Sequence, residues 1–199
     1  MSHGIQAQAS YTLAKGEDTS PLTGTYVVGS GDDRLSDPTN VDRDKGVAPF
    51  NQTHTFVFSG LLAPKVSGSG VGPALLNNNQ LGFILQANSG LPFNIRANRD
   101  LNLDGVQNDR PVGIDRNTGR LGRVFNVDAR YVRFIPLGAH LRSELFVEAK
   151  NIFNTQNVAS VNRVVAVDAA GNATVPLDSL PQLTGYLQRN VQAGLKLVF

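Results

Sequence analysis

The chain has 199 residues, 41% of them hydrophobic, and a formal net charge of +2. It contains no Cys, which excludes disulfides and thiolate metal sites. It contains no run of about 20 apolar residues, which excludes a membrane-crossing helix. The few Lys and Arg are unclustered, so nucleic acid is not an expected partner. Gly 20 and Pro 10, with many Asn and Asp, suit a loop-rich all-β chain, and no long stretch has helical periodicity.

Met1 to Ile5 offers neither a basic nor an apolar leader segment, so the chain reads either as cytoplasmic or as the back part of something longer. Ile5, Ala7, Ala9, Tyr11 and Leu13 then alternate with polar residues, as an amphipathic strand does. Gly16 to Asn51 is a long polar loop. Phe56, Phe58 and Leu62 form a second alternating strand that ends at Pro64. Lys65 to Asn79 is rich in Gly and Ser and reads as a turn or short loop. Leu81, Phe83, Leu85 and Ala87 form a third strand, with an extension through Pro92-Phe93 to Ile95.

Asn98 to Arg123 is a second polar loop. Phe125, Val127, Ala129 and Tyr131 form a fourth strand, and Leu137 to His140 a tight connection. Leu145, Val147 and Ala149 form a fifth, closing on Ile152-Phe153. Thr155 to Arg189 is a third long loop. Val191, Ala193, Leu195, Leu197 and Phe199 end the chain as a sixth amphipathic strand.

The reading is an all-β, antiparallel up-and-down meander of about six long strands spanning residues 1–199. Each strand is near the ~9–11 residues of a tilted transmembrane strand. Long connectors fall at one end and shorter ones at the other, as in outer-membrane barrels with long extracellular loops. Asn126, Asp128 and Arg130 share one strand face, and Glu144, Glu148 and Lys150 share another. In a barrel these would face the lumen, and the Ala-rich apolar faces would meet lipid without needing to interdigitate. Arg133 falls in the outward register near a strand end. A soluble or secreted β-sandwich that binds a ligand on its polar face stays open as the alternative.

Asp100-Leu-Asn102-Leu-Asp104-Gly105 is the front half of a calcium loop, in which alternate carboxylates and amides converge on one hard cation. Val106 would lend a carbonyl, and Asn108 and Asp109 late ligands; Pro111 occupies the place of the usual bidentate Glu. The competing reading is a polar turn closed by Asx hydrogen bonds. Asp32, Asp33, Asp37, Asp42 and Asp44, with Arg34, Arg43 and Lys45, read as a solvated acidic loop or as ligand contacts at a barrel mouth. His3, His54 and His140 have no metal-ligand spacing, and Ser59 and Ser89 are not nucleophile elbows, so no enzyme is expected. Tyr11, Phe56, Phe58, Phe125, Tyr131, Phe153 and Phe199 fit interfacial aromatic girdles.

Glu148-Ala-Lys-Asn151-Ile-Phe-Asn154 resembles the penultimate-strand motif of TonB-dependent outer-membrane transporters. Ser89-Gly-Leu-Pro-Phe93 and Asn108-Asp-Arg-Pro111 resemble the Oar-like, carboxypeptidase-regulatory-like branch of that family. The terminal alternation ending in Phe199 is similar to the signal read by the barrel assembly machinery. The resemblance implies a bacterial outer-membrane barrel of about 22 strands around a plug. It also implies partners: lipid, the remaining strands and the plug, the TonB complex and a solute. The expected role is the C-terminal part of such a barrel.

Overall fold

The computed structural model describes residues 4–19, 34–186 and 188–199. Six long strands form one antiparallel sheet in which every neighbour in sequence is a neighbour in space. They are β1 (Ile5–Leu13), β2 (His54–Leu62), β3 (Asn79–Asn88), β4 (Val124–Pro136), β5 (Arg142–Lys150) and β6 (Asn190–Val198). The pairing has no register shift within the sheet, so the period-two alternation of each strand adds up to two continuous faces.

One face is apolar across all six strands. Ala9, Phe58, Leu85 and Val127 lie on it in one row of the register, and Phe83, Ala129, Ala149 and Val191 in the next. It is not packed against a second layer: Ile5 is 56% exposed, Leu195 61% and Val191 60%. A soluble sandwich would cover this face with another sheet, so the sandwich alternative fails. The other face carries Gln6, Gln8, Gln86, Asp128, Glu148 and Gln192. Two glycines on this sheet lie directly opposite phenylalanines, Gly60 against Phe83 and Gly194 against Phe146. In each pair the ring covers the bare backbone, and a Cβ on the glycine would sit 2.5 Å from it.

Two expected boundaries move. β3 ends at Asn88 rather than running to Ile95, and Pro92–Phe93 pairs instead with Gly119–Arg120 inside the loop. β5 ends at Lys150 because Asn151 and Asn154 both take positive φ, 48° and 52°, which breaks the strand into a tight turn. The 63–78 connector is not a plain turn but holds a short helix, α1 (Val71–Leu76). Six residues are too few to show helical periodicity.

Three long connectors, 14–53, 89–123 and 151–189, emerge from the same end of the sheet. Their described residues are folded rather than structureless. Glu17–Asp18 pairs with Gly46–Val47, Arg96–Ala97 with Val164–Val165, and Val158–Val161 with Gln182–Gly185. Ile95, Ala97 and Val165, at 3%, 2% and 2% exposure, make this layer the best-buried apolar part of the described chain. No helix among the described residues is long and apolar enough to cross a membrane.

Candidate functional site

The polar sheet face gathers the residues predicted to line a lumen. Glu148 stands opposite Arg130 and Glu144 opposite Lys196 across the strand pairs. Lys150 Nζ lies 3.3 Å from Asp128 and 3.4 Å from Glu148, and Arg130 lies 3.5 Å from Glu148. Asn126 donates to Asp128 at 2.8 Å. Arg130 also stacks over the Phe146 ring at 4.6 Å. All six predicted residues therefore sit on one face: Asp128, Arg130, Glu148 and Lys150 form an ion-paired group around a concavity of about 400 Å³, Asn126 bonds to its edge, and Glu144 pairs separately with Arg142 and Lys196.

The loop layer is organised by Asn108-Asp109-Arg110-Pro111, all buried. Asn108 Nδ2 donates to Leu35 O at 2.9 Å. Asp109 Oδ2 accepts the Leu101 and Asn102 N–H groups at 2.6 and 3.1 Å. Arg110 pairs with Asp44 at 2.7 Å, both nearly solvent-free. Asp44 also accepts from the Ser36 N–H and hydroxyl. Arg116 ties Asp18 to the Asp44 carbonyl. Buried charges persist only when paired and hydrogen-bonded, and here the pairs join the first long loop to the second.

The other familiar motifs are locks as well. Ser89 hydrogen-bonds His54 through both backbone and hydroxyl. The Gly90 backbone runs so close to the Leu121 carbonyl that a Cβ would lie 1.8 Å from it. Asn151 accepts Thr155 N–H and donates to Thr155 O, each at 2.9 Å, while its own N–H reaches Asp128. Asn154 Oδ1 accepts Arg189 N–H at 3.0 Å.

All three long loops contribute to one cleft of about 500 Å³. Among the described residues, Arg34, Arg110, Arg116 and Arg163 line it with one carboxylate, Asp44; Arg110 is ion-paired to Asp44 and Arg116 to Asp18. Phe50 and Phe93 supply aromatic surface, and Phe50 is 78% exposed. Burial pushes the pKa of Arg163 down. From the sequence, Arg34 and Asp44 stand out as part of a charged run, and Leu91-Pro92-Phe93, Asn108 and Arg110 as parts of family-like motifs; the cleft they share does not.

The proposed calcium residues fold differently from a metal cage. Asp100 accepts Leu103 N–H at 2.7 Å and Gly105 N–H at 2.8 Å, Asn102 accepts Asp104 N–H, and Asp104 accepts Val106 N–H. Asp109 lies under the turn and Asn108 reaches Leu35. Asp100, Asp104 and Asp109 do not converge, and no group of three or more His, Asp or Glu among the described residues could hold a metal. The turn is held shut by Asx bonds.

Of the acidic run, Asp44 is buried and Asp37 caps Thr39; Asp32, Asp33 and His3 lie outside the described residues. His54 accepts or donates to Tyr11 OH at 2.8 Å. Tyr11, Phe56, Phe125 and Phe153 ring the loop end of the sheet, where Phe125 and Phe153 stack at 6.4 Å. Tyr131 and Phe199 lie toward the opposite end and Phe58 is central. Val191, Ala193, Leu195 and Leu197 continue the apolar face, with Phe199 just beyond it.

No curated protein and no solved structure matches this chain. A family model for an outer membrane beta barrel domain does match, over residues 1–123 of 199. That span holds the first three strands and the loop motifs, and its description fits a sheet with one bare apolar face. The chain belongs to the outer membrane β-barrel domain family, and its place is the bacterial outer membrane.

Proposed function

We propose that this chain forms part of the wall and mouth of a TonB-dependent transporter barrel, of the Oar-like kind. The observation that carries this is the pairing of an apolar face that runs across all six strands with an ion-paired polar face, beneath a layer of long loops at one end. The motifs that resemble the transporter family add support, because they build the strand exits and the loop core. On this reading Asn126, Asp128, Arg130, Glu144, Glu148 and Lys150 face the lumen and contact a plug or a passing solute. The loops meet the solute outside. The unpaired edges of β1 and β6 also support it, since open edges in lipid demand further strands.

A photocrosslinking residue at position 148, read by mass spectrometry on outer membranes, tests this. Adducts to a globular plug domain are expected. Adducts to lipid alone overturn it.

A further inference from the structure

We infer that helix α1 is an interfacial helix, seated on the outer wall of the sheet in the periplasmic leaflet of the bilayer, where phospholipid covers it. Nothing here depends on the transport reading; a barrel wall with its long loops outward suffices.

α1 belongs to the connector at the end of the sheet opposite the long loops. It folds back over the apolar face rather than projecting from the strand ends. Leu75 shares a hollow of about 550 Å³ with Tyr131, Leu145, Val147 and Ala193, all of which lie on that face. The surface of the helix continues the face. Val71 is 75% exposed and Leu75 66%, and no charged residue occurs between Lys65 and Arg96. A bare apolar patch marks a contact surface. Its continuity with the lipid-covered sheet identifies the contact as lipid.

The carbonyls of the helix end point the same way. The last four carbonyls of a helix have no partner within it. Water satisfies them on a soluble surface, whereas in lipid the protein must do so itself. Here all four, from Ala74 to Asn77, accept from two side chains of the sheet. Arg133 donates to Ala74 O, Leu75 O and Asn77 O at 3.0, 3.4 and 2.7 Å. Asn79 donates to Leu75 O, and to Leu76 O at 3.2 Å. Arg133 and Asn79 stand directly opposite each other on the apolar face. Asn79 Oδ1 accepts in turn from Tyr131 OH at 2.7 Å. A tyrosine with its ring on the apolar face and its hydroxyl in such a cluster suits the membrane interface.

Fluorescence quenching on the full chain, in vesicles of phosphatidylethanolamine and phosphatidylglycerol, tests this. Val71→Cys, Leu75→Cys and Val147→Cys each carry an environment-sensitive label. The quenchers are a nitroxide near the lipid headgroup, a nitroxide deep in the acyl chain, and aqueous iodide. Labels at 71 and 75 are expected to be quenched most by the headgroup-near nitroxide, and the label at 147, in the middle of β5, by the deep one. Val71→Glu gives a second readout. In water an acidic residue in a first turn favours a helix. In lipid it should expel this one, so that amides 71–77 exchange faster while the six strands stay protected. Iodide quenching at 71 and 75 overturns the inference, as does an equal response there to the two nitroxides. Unchanged exchange in Val71→Glu overturns it too. The crosslink from position 148 reads the opposite face of the sheet, so this inference and the transport reading fail separately.

Discussion

At the scale of single residues, close backbone approach decides more than side-chain chemistry. Gly90 and Gly122 are near neighbours in one loop, yet their surroundings differ. A Cβ at Gly90 would meet the Leu121 carbonyl carbon at 2.4 Å and its oxygen at 1.8 Å, whereas at Gly122 it would meet nothing within 4 Å. Backbone cannot swing aside as a side-chain tip can. Gly90→Ala should therefore destabilise the protein by roughly 1–3 kcal/mol, and Gly122→Ala should be near neutral. Urea unfolding in micelles measures both, and equal midpoints would contradict the account.

The sequence shows a glycine at each place and cannot tell them apart, because the difference lies in a contact with another segment. The same limit hid the Arg110–Asp44 pair. Read linearly, Asp44 belongs to a charged run that looks solvated, and only the folded loops reveal that it is buried. The calcium pattern is ambiguous for a related reason. Asp-x-Asn-x-Asp-Gly serves a metal or its own backbone N–H groups equally well, and here the backbone takes the oxygens.

At the scale of elements, the strands were largely legible and the connectors were not. Alternation over nine residues survives any tertiary context when one face is apolar, so β1, β2 and β6 stand where periodicity puts them. The end of β5 was overread because Ile152-Phe153 continues the apolar run while Asn151 turns the backbone away. Helix α1 was missed, and its support comes from outside its own sequence. Arg133 lies on the apolar face of β4, where a charge is costly, and its guanidinium is spent on carbonyls of the helix end. It donates to Ala74 O at 3.0 Å and Asn77 O at 2.7 Å, and also to Asn79 Oδ1 at 3.0 Å. Arg133→Gln should remove roughly 1–3 kcal/mol of local stability. Amides of residues 71–77 should then exchange rapidly in hydrogen-exchange mass spectrometry, with the six strands still protected. Unchanged protection of the helix would show that it holds itself.

At the scale of the whole molecule, burial is inverted relative to a soluble domain. The loops have a buried core and the sheet has bare faces. The apolar face requires surroundings other than water, and the family match supplies the bilayer. The central claim is that the two sheet faces see different solvents. The natural lack of Cys makes the test clean. Single cysteines placed one at a time from Glu144 to Ala149, labelled with an environment-sensitive fluorophore in lipid vesicles, measure it directly. The account predicts a period of two: blue-shifted emission quenched by lipid-borne nitroxide at 145, 147 and 149, and aqueous quenching at 144, 146 and 148. Uniform aqueous quenching at all six positions, or loss of the alternation, would contradict it.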